Sequence, residues 1–135
     1  MTGFTLSVIE KDLEGLAARF AATSRNIANA NTPGYAKRNV SFEDQLRDVI
    51  ESGKKLKMTR TDKGHIPTFP HSVAAVQPAE IRVTDEKYRL DGNNVDPERE
   101  MSILSETRMQ YTAMTRFAAR KVSGLRSAIT GRGAQ

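Results

Sequence analysis

The 135-residue chain contains no cysteine and no tryptophan. Without cysteine, neither disulfides nor thiolate metal sites can form. Aromatic residues make up only 6% of the chain and hydrophobic residues 38%, which is thin for a compact core. That composition suits helices that each bury one stripe against a partner. No run approaches 18 consecutive apolar residues, so no segment reads as a membrane-spanning helix. The opening MTGFTLSVIEKDLEGL reaches acid by Glu10 and has no basic n-region. A cleavable secretory signal is therefore not expected; the protein stays in the cytoplasm or leaves by a route that needs none.

Catalytic signatures are missing as well. G-x-S-x-G, Walker A, G-x-G-x-x-G and H-E-x-x-H do not occur. His65 and His71 are the only histidines, each beside proline in GHIP and FPHS, with no Asp or Glu between them; solvated loop histidines are the expectation. DGNNVDPERE lacks the regular D-x-D-x-D-G spacing of a calcium loop. NVS at Asn39 fits a glycosylation sequon, a motif common by chance. The expectation is no enzyme, no catalytic, cofactor or metal site, and no small-molecule substrate.

Acid is absent from one end. The net charge is +5, and after Glu106 there are six basic residues and no acidic one. One reading is a basic helical adaptor for nucleic acid or anionic membrane. The other is a solvated helix face with cations near a helix C-terminus. The second is favoured, because no four Lys/Arg are adjacent and no aromatics interleave to stack bases. No nucleic-acid partner is expected.

What the chain does have is helical periodicity at both ends. Leu6, Ile9, Leu13, Leu16, Phe20, Thr23, Ile27 and Ala30 alternate steps of three and four, a heptad seam with only Thr23 polar. Gly15 within it costs roughly 1 kcal/mol relative to alanine. Pro33 pushes Thr32 out of the helix, and Thr32-Pro33-Gly34-Tyr35 fits a type II turn. A short helix follows, capped by Ser41, with Phe42, Leu46, Val49 and Ile50 on one face and Gly53 at its end. Residues 54–95 show no helical period; short alternations at Leu56/Met58, Ile81/Val83 and Tyr88/Leu90 suggest one or two short strands, and Asp91-Gly92 a turn. The last helix begins with Asp96 as cap, Pro97 in the first turn, then Glu98 and Glu100. Its seam reads Met101, Leu104, Arg108, Tyr111, Thr115, Ala118, Val122, Leu125 and Ile129.

The expected fold is mainly α. Long N- and C-terminal helices pair as a coiled-coil-like hairpin around a short helix and a loop-rich middle. Packing rests on Ile9, Leu13, Leu16 and Phe20 from the first helix, and on Met101, Leu104, Tyr111, Val122, Leu125 and Ile129 from the last. Such one-sided helices leave apolar surface for other copies of the chain. Ordering each residue costs on the order of 1–2 kcal/mol in backbone entropy, so the terminal helices are expected to be poorly ordered in a free monomer and to order on assembly.

SRNIANANTPGY, residues 24–35, spends three asparagines where an apolar helix ends. Asparagine can bond carbonyls freed at a helix end and reach across to neighbours, or simply favour an end and a turn. The run Asn26-Ile27-Ala28-Asn29-Ala30-Asn31-Thr32-Pro33-Gly34-Tyr35, followed by Phe42-Glu43, resembles the N-terminal signature of the flagellar axial proteins, the rod, hook and hook-associated subunits. NNVDPEREMSILSETRMQYTAMTRFAARKVSGLRSAI resembles the family's C-terminal helix, with Asn94-Val95-Asp96, Glu100-Met101, Arg108 and Tyr111 in the usual order. The family often continues that tyrosine with Gln-Ala-Asn, where this chain has Thr112-Ala113-Met114. The chain has no room for the larger inserted domains of hook and distal-rod proteins. GHIPTF and YRLDGNNVDPERE resemble the proximal-rod FlgB type, with the FlgC type as the alternative.

The resemblance implies a structural subunit of the basal-body rod, a helical tube that transmits torque across the periplasm and surrounds the export channel. Residues 1–35 and 96–135 would belong to its inner helical layer, and 36–95 to a short helix plus extended middle. Asn26, Ile27, Ala28, Asn29, Ala30, Asn31, Pro33, Gly34 and Tyr35 would serve subunit packing. Implied partners are copies of itself, other rod proteins, membrane-ring and rod-adaptor proteins at the base, and the flagellar type III export apparatus, which takes subunits without a cleaved signal peptide.

Overall fold

The computed structural model describes residues 2–52, 73–84 and 90–131. In chain order they form α1 (Thr2–Ala28), β1 (Arg38–Ser41), α2 (Glu43–Ser52), a 3-10 turn (Val73–Ala75), β2 (Ala79–Arg82) and α3 (Pro97–Thr130). The mainly helical hairpin with a short middle helix, and a short strand at the Ile81/Val83 alternation, are as the sequence leads one to expect. Gly53, Leu56, Met58, His65, His71 and Tyr88 lie outside the described residues.

The helices α1 and α3 pack against each other more extensively than any other two elements. They run antiparallel: Asn26, near the end of α1, meets Glu100, near the start of α3. Met114, further along α3, packs on the cluster that contains Leu16. On α1 the inward stripe holds Ile9, Leu16, Ala22, Thr23 and Asn26, and Ala30, just past the helix, is buried in line with it. Leu13 and Ile27 are half-buried, and Phe20 is exposed.

On α3 the inward stripe is not the one that apolar residues alone suggest. It starts at Glu100, not Met101, and runs through Ile103, Leu104, Thr107, Met114 and Ala118. Met101 is 60% exposed, while Glu100 and Thr107 are buried. The cause is that both buried polar side chains are bonded: Asn26 donates to Glu100, and Thr107 Oγ1 donates to Ile103 O at 2.7 Å. Once bonded, a polar group can occupy a seam, and the apolar pattern then mislocates that seam by one residue. Tyr111, Val122 and Leu125 lie nearer the α1 side yet remain partly open, and Ile129 is 85% exposed. α3 has 34 residues against 27 in α1, about 10 Å more helix at 1.5 Å per residue.

β1 and β2 pair antiparallel, Arg38 opposite Arg82 and Ser41 opposite Ala79. β1 was not anticipated, and it moves the cap of α2. Ser41 is in the strand, and Leu46 N–H donates to Phe42 O at 3.0 Å, so Phe42 precedes the helix. Val40 and Phe42 turn inward onto Leu16 and Ala22. A second cluster joins Leu46 and Val49 of α2 to Val73 and Val76, with Val8 against it. Ile50, on the edge of that face, is partly exposed.

Gly15 has a packing reason. A Cβ there would lie 2.5 Å from the ring of Phe42. The other side of that ring environment is Arg19, whose guanidinium carbon is 5.1 Å from the ring centroid. Arg19 also donates to Val40 O at 3.2 Å and pairs with Glu43. The helix-weakening glycine is thus what lets the first residue after β1 sit flat against α1.

Candidate functional site

The asparagines gather where α1 ends and α3 begins. Asn26 falls on the inward stripe of α1 and is only 1% exposed. Its Nδ2 donates to Arg38 O at 2.8 Å and to Glu100 Oε2 at 2.9 Å. Its Oδ1 accepts from Arg38 N–H at 2.9 Å and from the Tyr35 hydroxyl at 3.2 Å. Two donors and two acceptor positions are thereby all used. One side chain joins α1, the turn after it, the first residue of β1 and the first turns of α3.

Asn93 closes the same region from the other side. It is fully buried. Its Nδ2 lies 2.9 Å from Asn29 O, 3.1 Å from Ala30 O and 2.9 Å from Thr32 O, and its Oδ1 accepts from Val95 N–H at 2.8 Å. A helix end leaves carbonyls without intrahelical partners. Here a residue from the far side of the chain satisfies carbonyls just beyond α1. Asn94 accepts from Lys37 N–H at 2.6 Å and donates to Val83 O at 2.7 Å, which fastens the strands to the joint.

The two turns dock together. Tyr35 N–H donates to Thr32 O at 3.3 Å, and Gly34 has φ 70°, as a proline-glycine type II turn requires. Gly34 N–H donates to Asp91 O at 3.0 Å. Gly92, at φ 81°, brings its Cα side within 3.6 Å of Gly34 Cα, measured from the position a Cβ would take. α3 then starts under the cap of Asp96, which accepts from Glu98 N–H at 3.0 Å and Arg99 N–H at 3.3 Å.

Beside the joint one carboxylate holds two arginines. Glu80 of β2 receives Arg25 of α1 at 2.8 Å and Arg38 of β1 at 2.9 Å. The hydrogen bond from Arg38 is the main reason its carboxyl is held below the usual range; burial opposes this and Arg25 adds to it. Burial pulls Glu43 upward, but the Arg19 hydrogen bond and nearby backbone N–H groups outweigh it and leave the carboxyl low. Asp12 is raised, chiefly by burial and then by Glu43, with Arg19 opposing. Among the described residues no group of three His, Cys, Asp or Glu is placed to hold a metal.

Of the packing residues picked from sequence, Asn26 and Ala30 are buried, Ile27, Asn29 and Tyr35 half-buried, and Ala28, Asn31, Pro33 and Gly34 exposed. Asn29 serves its own helix end: its Nδ2 donates to Arg25 O at 2.8 Å. Asn93, Asn94 and Glu100 complete the joint and were not picked. A signal was present: a doubled asparagine between a glycine turn and a helix cap mirrors the asparagine-turn pattern at residues 29–34.

The model of the family described as flagella basal body rod protein matches residues 13–35, which run from the Phe42-facing part of α1 through the turn. Flagellar basal body rod protein FlgB of Yersinia enterocolitica is 31% identical over 121 residues, 84% of each chain. The chain belongs to the flagellar basal body rod family. Its FlgB-named relatives include that of Salmonella typhimurium, 32% identical over 85% of each chain, and that of Bacillus subtilis, 28% identical over 94% of each. These relatives support the FlgB type; they do not favour the FlgC type or a basic adaptor. For this rod-family chain, the asparagine run and the NNVDPERE run, bonded across separations of 64 and 74 positions, are two halves of one polar joint.

Proposed function

We propose that the chain is a non-enzymatic subunit of the proximal flagellar rod, and that the asparagine joint fixes the register in which its two long helices are offered to neighbours. The observation that carries this reading is the contrast on α3. Met101, Met109, Tyr111, Phe117, Val122, Leu125 and Ile129 are all at least a third exposed, on a chain whose buried polar side chains are all bonded among the described residues. Large apolar residues left open on a helix mark a surface for a partner. The FlgB-named relatives support reading that partner as a rod component. Copies of the chain and other rod proteins come first, followed by membrane-ring and rod-adaptor proteins at the base.

In this reading residues 1–35 and 96–135 lie in the inner helical layer around the export channel, and the assembled rod crosses the periplasm. The chain reaches it through the flagellar type III export apparatus. Asn31, Pro33 and Gly34, exposed at the tip of the joint, and Ile27 and Ala28 beside it, contact the next subunit.

The test is complementation. In cells lacking their own proximal-rod subunit of this type, the chain is expected to restore swimming and to appear in purified basal bodies. Ile27→Asp is expected to abolish both while the purified variant keeps its helical circular dichroism, because Ile27 is half-buried within the chain and a charge there would be stranded in a packed interface. Normal rods in the Ile27→Asp strain would contradict the packing role.

A further inference from the structure

The side of α3 turned away from α1 carries an open groove of about 570 Å³ lined by Ala113, Arg116, Phe117, Ala119, Arg120 and Ser123. Arg116 is two residues from both Met114 and Ala118, the inward positions, and so lies across the helix from them. Alanine and serine keep the groove shallow, and Phe117, 54% exposed, forms one edge. Arg116 and Arg120 stand one turn apart, where like charges repel. No acidic residue follows Glu106 in the sequence to relieve them, and neither has an ion pair among the described residues.

We propose that this groove receives the outer face of α2 from a second copy of the chain. α2 has Glu43, Asp44, Asp48 and Glu51 against a single cation, Arg47. Its inward face is Leu46 and Val49; Asp44, Asp48 and Glu51 follow one another at steps of four and three on the opposite side. Asp44, which has an exposed 3.6 Å pair with Arg47 of its own helix, and Asp48 have the same one-turn spacing as Arg116 and Arg120, so two charge-assisted pairs can form together once Asp44 exchanges Arg47 for the incoming arginine. Phe117 is exposed next to the arginines, so apolar area lies beside the charged contact. Within one chain α2 packs chiefly on α1 and the Val73–Ala75 turn, and α3 on α1. The contact joins two different patches, so it is heterologous and propagates along an assembly instead of closing as a two-fold dimer. This rests on the rod-subunit reading and names which faces of neighbouring subunits meet.

The absence of cysteine makes a clean crosslinking test. Two forms of the chain, Arg120→Cys and Asp48→Cys, are co-expressed in cells lacking their own subunit, and basal bodies are purified and oxidised. A disulfide dimer containing one of each form is expected, at least tenfold above dimers of either form alone. Both forms present in basal bodies with no mixed dimer would overturn the contact, as would crosslinking of Arg120→Cys only to itself. In parallel, Arg116→Glu with Arg120→Glu, and Asp44→Lys with Asp48→Lys, are each expected to lower the chain's content in basal bodies at least tenfold. All four changes in one chain are expected to restore it to within twofold. Failure of the combined variant to recover, with helical circular dichroism intact in each, would also overturn it. If the unmodified chain were missing from basal bodies, the rod reading would fail. A mixed dimer of the two purified cysteine forms in solution would then still support the α2–α3 contact, and its absence there would reject it.

Discussion

The two ends of the α1–α3 hairpin are built from opposite materials. Where α1 ends and α3 begins, the contacts are polar, buried and saturated: Asn26, Asn93, Asn94 and Glu100 tie two helices, two strands and two turns. At the other end Phe4, Val122, Leu125 and Ile129 are apolar and open. Apolar contacts are non-directional and tolerate sliding, whereas a fully used amide tolerates one register only. The difference teaches a division of labour: hydrogen bonds set the geometry of the subunit, and the apolar surface stays open for the assembly contacts proposed above.

Breaking the polar end should have the largest effect on the isolated chain. Asn26→Leu leaves the Arg38 backbone groups and the Glu100 carboxylate without their partner in a buried site. Unsatisfied buried groups cost about 1–3 kcal/mol each, so a loss of roughly 3 kcal/mol or more is expected in urea denaturation. Asn93→Ala removes the buried donor shared by the carbonyls of Asn29, Ala30 and Thr32, but Asn29 O and Thr32 O keep their bonds from Thr32 N–H and Tyr35 N–H, so the expected loss is smaller, about 2 kcal/mol. A cost below 0.5 kcal/mol for both variants would remove the contrast between the ends.

Gly15→Ala probes the packing next to the joint. Alanine favours the helix by roughly 1 kcal/mol, yet its Cβ would press on the rigid Phe42 ring at 2.5 Å. Overpacking costs about 1–3 kcal/mol, so a net loss of about 1 kcal/mol is expected, and Gly15→Ala with Phe42→Leu should recover part of it. A stabilised Gly15→Ala would show that Phe42 does not rest there.

Acid should have a smaller effect. Glu80 and Glu43 have carboxyls held low by their arginines, so their contribution is present above the unfolded carboxylate range and is lost as pH falls through the lower folded values. Asp12, raised by burial, works the other way, since protonating it relieves a buried charge. The pairs are largely solvent-screened, so the net loss below about pH 4 should stay under about 1 kcal/mol. Glu80→Gln should remove most of what depends on β2. The smallest effect belongs to the open end: Ile129→Ser should change monomer stability by no more than about 0.5 kcal/mol while lowering incorporation into rods.

Much of this architecture is legible in the sequence, for identifiable reasons. The helices announce themselves through long stripes, the Thr32–Tyr35 turn, and the Asp96-Pro97 start, all local signals. β1 was hidden because a four-residue strand abuts a helix in RNVSFED, with no turn residues between them. The true α3 stripe was hidden because Glu100 is buried by virtue of a partner 74 positions away, and no periodicity of apolar residues reports that. Asn93 and Asn94 were visible as an asparagine pair, but their partners are backbone carbonyls and N–H groups, which every residue carries and no pattern marks.

Hydrogen exchange, residue by residue, on dilute monomer and on assembled rods compares the two ends most directly. Backbone amides bonded within the joint, such as Gly34, Lys37, Arg38 and Val95, should already be protected in the monomer and change little on assembly, which narrows the poor monomer order expected of the terminal helices from their sequence to the ends remote from the joint. Amides of α3 from Val122 to Ile129 should exchange fast in the monomer and slow by at least a hundredfold in the rod. Equal protection of both ends in the monomer, or a joint that becomes protected only in the rod, would contradict the account.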